Sequence, residues 1–236
     1  PEAQLQKNDI EIINTTATYS NYELKNVGQI FYTHDITSQK FYHFGSDPTT
    51  LGKRKLEADF DPIESALKKG GSVLIYVPKS HIYSKQIYGQ FQKYISMCQP
   101  IDDPIAIKMI DELKDYIGAS TTDKLFYNSD MLEKLRCGIV VHHGSMPLTA
   151  RLILEHFTQQ GFCKICFATS TLEQGINMPF DVVYLDRFEE SKTLSVKNLI
   201  GRAGRSTAKP IFDFGSVILR PNAMSRFRKV YQKKNI

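Results

Sequence analysis

The 236-residue chain has no tryptophan, only four cysteines and no long apolar run. Each shortage excludes something. A membrane-crossing helix needs about 20 mostly apolar residues, so no spanning segment and no membrane partner are expected. Four cysteines (Cys98, Cys137, Cys163 and Cys166) do not make a disulfide scaffold in a chain of this length. With no apolar signal region after Pro1-Glu-Ala-Gln, reduced thiols in a cytoplasmic setting are expected. The same start, without an initiator methionine, reads as the cut end of a longer polypeptide. Charge of one sign is also modest. Thirty Lys+Arg against 25 Asp+Glu give a net +5, which permits an anionic partner without requiring one.

What is present is ordinary globular composition, 42% hydrophobic and 23% charged. A chain of this size removes roughly 70% of its unfolded surface from water, enough for a sizeable core. Residues 1–60 read as a β-rich N-terminal extension. Ile10-Glu-Ile-Ile13, Gln29-Ile-Phe-Tyr-Thr33 and Lys40-Phe-Tyr-His-Phe44 are strand candidates, the last two flanking a short loop at Asp35–Ser38. Asp61-Pro62 opens a helix that closes at Gly70-Gly71.

From there strands and helices alternate. Strands are expected at 72–77, 137–141, 164–168, 182–185 and 215–219, with helices at 81–96, 104–117, 129–136, 147–160 and 195–200. Ser72-Val-Leu-Ile-Tyr-Val77 is nearly all apolar, as in a strand covered on both faces. Alternation of this kind predicts a doubly wound, mainly parallel α/β sheet with helices on both faces, over residues 61–222. Residues 223–236 form a basic tail of helical pattern.

In such sheets ligands bind beyond the carboxyl ends of the strands. Pro78-Lys79-Ser80, His142-His143-Gly144-Ser145 and Thr169–Pro179 follow three of them. These loops are small, polar and in two cases Gly-bearing, a composition suited to a nucleic-acid backbone. The sharper feature is Gly201-Arg202-Ala203-Gly204-Arg205. Two arginines three apart can converge on one phosphate, since guanidinium stays charged and pairs bidentately. A C-capped helix with two solvated arginines remains the bland alternative for that run taken alone.

Taken in order, these segments resemble the second RecA-like domain of superfamily 2 helicases, in the DExH branch that includes superkiller-type enzymes. Val73–Ser80 looks like motif IV, and Gly138–Pro147 like the loop that follows it in this branch. Ala168–Pro179 looks like motif V, and Asn198–Arg205 like motif VI. The resemblance covers about residues 60 to 220. It implies a RecA-like fold and a role as second motor domain of an ATP-dependent helicase or translocase. It also implies single-stranded or duplex nucleic acid as partner. Arg205 is implied as the arginine finger on the γ-phosphate, with Arg202 beside it, as the catalytic pair. Gly175, Asn177 and Asn198 are implied to face the nucleotide, the last where the family usually has Gln. Lys79, Ser80, His143, Gly144, Thr169 and Thr171 are implied on nucleic-acid phosphates.

The complementary half is missing. The chain has no GxxxxGK[ST] loop; Gly45–Arg54 has two residues too many between its glycines and Arg54 in place of Ser or Thr. Asp111-Glu112 mimics a DExx pair but sits in a helical pattern, so it reads as a solvated face. ATP and Mg²⁺ are therefore expected mainly on an N-terminal RecA-like domain of the same polypeptide, and this chain alone is expected to be inactive. The rival class is a nucleic-acid or protein binding module without motor activity. Cys163-Lys-Ile-Cys166 reads better as buried thiols than as a zinc or redox pair, so no metal is assigned to this chain. Of His142 and His143, one is expected in the packing and the other at a loop or phosphate. The N-terminal aromatics, Phe31, Tyr32 and Phe41 among them, are expected to pack rather than stack on bases.

Overall fold

The computed structural model describes residues 12–18, 24–43, 56–118, 130–169, 178–204 and 214–232. The N-terminal strands are β1 (Ile12–Thr18), β2 (Leu24–Asp35) and β3 (Lys40–His43). The alternating region supplies β4 (Val73–Tyr76), β5 (Ile139–His142), β6 (Ile165–Ala168), β7 (Val182–Leu185) and β8 (Gly215–Leu219). Among the described residues they form one eight-stranded sheet in the order β1-β2-β8-β7-β4-β6-β5, with β3 also paired to β2. The five strands β4 to β8 run parallel, as their two-sided apolar sequences require. This is a RecA-like α/β fold.

The β-rich N-terminal segment joins that same sheet. Gln29–Thr33 of β2 pairs in parallel with Gly215–Leu219 of β8, while β1 and β3 pair antiparallel to β2. Phe31, Tyr32 and Phe41 are buried in the core, as packing residues. The β2–β3 turn is closed by Asp35 Oδ1, which accepts from the Thr37 amide (3.0 Å), with Gln39 left-handed at φ 57°.

Side chains alternate across the sheet with the two-residue period of a strand. Leu74, Tyr76, Cys166, Ala168, Val183, Leu185, Val217 and Leu219 face one layer of helices. That layer contains α5 (Pro104–Tyr116), α6 (Asp130–Arg136), α7 (Leu148–Gln159), α8 (Thr193–Ile200) and α9 (Met224–Gln232). Val73, Ile75, Ile165, Phe167, Val182, Tyr184 and Ile218 face the other layer. There lie α1 (Pro62–Lys68), α2 (Lys79–Tyr83), α3 (Gln86–Gln90) and α4 (Gln92–Ile95). Cys163 and Cys166 are both buried in the first layer. Asp111 and Glu112 lie on the exposed face of α5. No described helix is long and apolar enough to cross a membrane.

Residues 81–96 differ from the single helix that their spacing predicts. Lys85 takes a left-handed conformation (φ 57°) and Phe91 leaves helical geometry (φ −108°, ψ 15°), giving three short helices. Ile82 and Ile87 are five apart, off the helical stripe. The break lets both be buried along with Phe91 and Tyr94. Phe91 then meets Tyr184 edge-on at 5.0 Å. Asp61 ties this layer together: Oδ1 caps α1 at the Ile63 and Glu64 amides, and Oδ2 accepts from the Tyr94 hydroxyl and Lys93.

His34, on β2, is buried, stacks on Phe41 at 4.3 Å and shares a hydrogen bond with the Tyr184 hydroxyl (3.2 Å). Burial, with Arg220 and Lys93 nearby, pulls its pKa from 6.5 to about 4, against the smaller opposing pull of Asp61 and Asp35. The unfolded chain thus binds this proton near 6.5 and the folded chain only near 4. The contribution is intact above the first value and is lost as pH falls toward the second. Melting temperature should therefore fall across that interval, and His34→Gln should flatten the fall. An equal fall in both proteins would refute this assignment.

Candidate functional site

In the sheet order, β4 lies between β6 and β7, which the chain reaches only after visiting the β5 edge. Such a reversal opens a crevice at the carboxyl ends of the strands. A cleft of about 890 Å³ occupies that place. Lys79, Gly144 and Thr169, three of the residues implied on phosphates, come from the ends of β4, β5 and β6 and line it together. Thr169 is buried at its floor, with its amide donating to the His142 carbonyl (3.2 Å). Ser80 is exposed on α2 beside Lys79.

Four further cations line the same cleft: Arg187, Lys192, Arg220 and Arg226. Arg220 is held by the buried Asp186, whose Oδ1 accepts from its Nε (2.7 Å) and Nη2. The other oxygen, Oδ2, lies 3.2 Å from His81 Nδ1. A guanidinium pinned in this way is already oriented toward the cleft, so little side-chain freedom is lost when it meets an anion. The loops read from sequence did not include these residues. The strand-end rule marks them when it is applied to 182–185 and 215–219, because Asp186-Arg187 and Arg220 come directly after those strands.

The two neighbouring histidines separate as their surroundings dictate. His142 is fully buried, with Nε2 3.2 Å from Glu155 Oε1. Burial lowers its pKa despite that carboxylate. His143 is half-buried at the rim, its ring 5.6 Å from Tyr83. Burial first, and then Lys79, lower its pKa. Lys79 Nζ donates to Ser145 Oγ, joining the first loop to the second.

The arginine turn lies at the other end of α8. Asn198 is exposed on that helix, while Arg202 is buried, 6% exposed, with its charge felt at His142 and Cys166. The turn backbone is locked to the sheet. Gly204 N donates to the Phe180 carbonyl (2.7 Å), and Phe180 N donates to the Arg202 carbonyl (3.2 Å). From β2, the fully buried Gln29 donates through Nε2 to the Ile200 (2.7 Å) and Ala203 (3.3 Å) carbonyls. Sequence reasoning missed Gln29, and its distance of 171 residues from Ile200 left no local signal. Thr171, Gly175, Asn177 and Arg205 lie outside the described residues. Among the described residues there is no group of three or more His, Cys, Asp or Glu that could hold a metal ion.

Residues 105–207 match the family described as Helicase conserved C-terminal domain. The ATP-dependent DNA helicase Hel308 of Caldivirga maquilingensis is 25% identical over 164 residues, 65% of this chain and 20% of that protein. Superkiller complex protein 2 of Mus musculus is 34% identical over 97 residues, 38% of this chain and 8% of that protein. The Hachiman protein HamB of Bacillus cereus is 38% identical over 84 residues, 34% of this chain and 8% of that protein. Residues 105–207 are thus similar to the C-terminal domain of superfamily 2 helicases of the DExH, superkiller-like kind. The chain spans a fifth or less of the length of these relatives.

Gly215 is where the turn meets β8. A Cβ there would lie 2.6 Å from the Ala203 carbonyl oxygen and closer still to the carbonyl carbon. Gly215→Ala should therefore destabilise the domain by about 1–3 kcal/mol in urea denaturation, the usual scale for overpacking. Gly89→Ala, where nothing lies within 4 Å, is the control and should be neutral or mildly stabilising. Equal effects at the two positions would contradict the close contact.

Proposed function

We propose that this chain is the second RecA-like motor domain of an ATP-dependent nucleic-acid helicase or translocase. The observation that carries the reading is the basic cleft at the carboxyl ends of the parallel strands. Lys79, Arg187 and Arg226 line it beside two ion pairs, Asp186–Arg220 and Glu189–Lys192 (3.3 Å), which leaves an excess of positive charge. Cations on one rigid rim, backed by the Gly144 loop and Thr169, fit a sugar-phosphate backbone better than a small apolar ligand. In this reading Lys79, Ser80, His143, Gly144, Thr169 and Thr171 hold phosphates by charge and hydrogen bonds, without reading sequence.

The arginine turn serves the second partner. Arg205 is the proposed finger that stabilises charge on the transferring phosphoryl group, and a guanidinium suits that task because it never loses its charge. Arg202, buried in the same turn, is proposed as its partner in the catalytic pair. Gly175, Asn177 and Asn198 are proposed on the nucleotide side, of which Asn198 offers an exposed amide. ATP, when bound, supplies the free energy for the domain's movement. The phosphate cradle and Mg²⁺ site are assigned to a RecA-like domain bearing the Walker loop that this chain lacks. Without that loop the chain alone should not turn over ATP.

The test of the cleft is its salt dependence. Neutralising cations on a phosphate track should weaken binding to all sequences alike. Each lost contact should make the slope of log affinity against log salt shallower by about one. Lys79→Ala and Arg226→Ala, measured by fluorescence anisotropy on single-stranded DNA and RNA, should each show this. Slopes unchanged from the unsubstituted protein would remove the cleft from the nucleic-acid path.

A further inference from the structure

Tyr83, the last residue of α2, has no part in the phosphate contacts or the arginine turn. It is 59% exposed, although its ring is the kind of side chain that folding normally covers. Two other aromatic side chains, Phe60 and Tyr116, are comparably exposed among the described residues. Phe60 rests edge-on against Tyr32, and Tyr116 ends α5 away from the cleft. Of the three, only Tyr83 stands beside a lysine and a histidine at the carboxyl rim. Lys79 Nζ lies over its ring at 5.6 Å, and the His143 imidazole lies 5.6 Å away at a 54° tilt. Lys79 is in turn tied to Ser145 on the neighbouring loop, so the group is braced from two strand ends.

We infer that Tyr83 is a stacking platform for an unpaired base of a single strand whose phosphates lie on Lys79 and His143. This rests on the nucleic-acid reading of the cleft and adds a base subsite to it. Each nucleotide carries its base one sugar away from its phosphate. A strand held at Lys79 and His143 therefore brings a base to the ring that adjoins both. Aromatic rings and guanidinium or ammonium groups side by side are the combination that binds single strands, one holding bases and the other holding phosphates. Stacking accepts every base, so the subsite favours unpaired strands over duplex without favouring a sequence. A paired base has its faces covered by its neighbours and is not available to the ring.

The experiment uses the intact protein that contains this chain and two labelled probes of equal length, a single-stranded oligonucleotide and the same phosphodiester backbone without bases. Tyr83→Ala should weaken the base-bearing probe about tenfold, within the usual worth of one stacked base, and leave the abasic probe unchanged. Tyr83→Phe should bind like the unsubstituted protein, because the ring and not the hydroxyl makes the contact. Lys79→Ala should weaken both probes alike. Because Tyr83 is exposed, the variants should keep the unsubstituted melting temperature. The inference is overturned if Tyr83→Ala leaves the base-bearing probe untouched, weakens both probes equally, or weakens ATP binding in place of strand binding. In each of those results the cleft can still hold phosphates. If the unsubstituted protein binds neither probe, the nucleic-acid reading fails and this subsite fails with it.

Discussion

The turn that carries the arginines is pressed against the sheet at a place where only glycine leaves room. Gly215 opens β8, and the Ala203–Gly204 backbone occupies the space that any side chain there would need. The hydrogen bonds to Phe180 and from Gln29 then fix the turn's register against β7 and β2. A loop held on three sides by backbone and by one buried amide has little freedom left. That suits groups required to stabilise charge as it develops, since such groups act best when they need not reorganise. The β-rich N-terminal strands thereby acquire a role. Their β2 supplies the buried amide, so removing them would leave the Ile200 and Ala203 carbonyls without it.

Strands β7 and β8 also reach the other candidate site. β7 begins two residues after Phe180 at the turn and ends at Leu185, just before Asp186 in the cleft, while β8 begins at Gly215 and ends at Leu219, just before Arg220. Turn and cleft thus lie at opposite ends of two short, largely buried strands, roughly 15 Å apart at the usual rise per residue. A shift of the turn cannot be absorbed within elements so short and so tightly packed. The Asp186–Arg220 pair matters for the same reason. Its carboxylate is buried and accepts from Arg220, so it is satisfied, and the guanidinium it holds is the fixed point of the cleft.

Much of this is legible in the amino-acid sequence itself. Two-sided apolar runs mark the parallel strands because burial on both faces leaves no other composition, and Asp-Pro marks the start of α1 because capping chemistry is local. Lys79, Gly144 and Thr169 were legible as one group because strand ends converge in this topology. Other features depended on tertiary contact and left no local trace. The break at Lys85 follows from burying Ile82 and Ile87 together, which neighbours in sequence do not reveal. Gln29 looks like one polar residue in a strand until β2 is placed beside β8. Tyr83 reads as a rim residue only once α2 is set against the His143 loop.

The most direct test of the motor-domain account is ATP turnover by the intact protein, with and without single-stranded DNA or RNA, beside this chain alone and the Arg205→Ala variant. The account predicts turnover stimulated by a nucleic acid in the intact protein and none from the isolated chain. It predicts that Arg205→Ala loses roughly a thousandfold or more of the rate while ATP binding is retained. Turnover by the isolated chain, or an Arg205→Ala rate equal to the unsubstituted one, would contradict it.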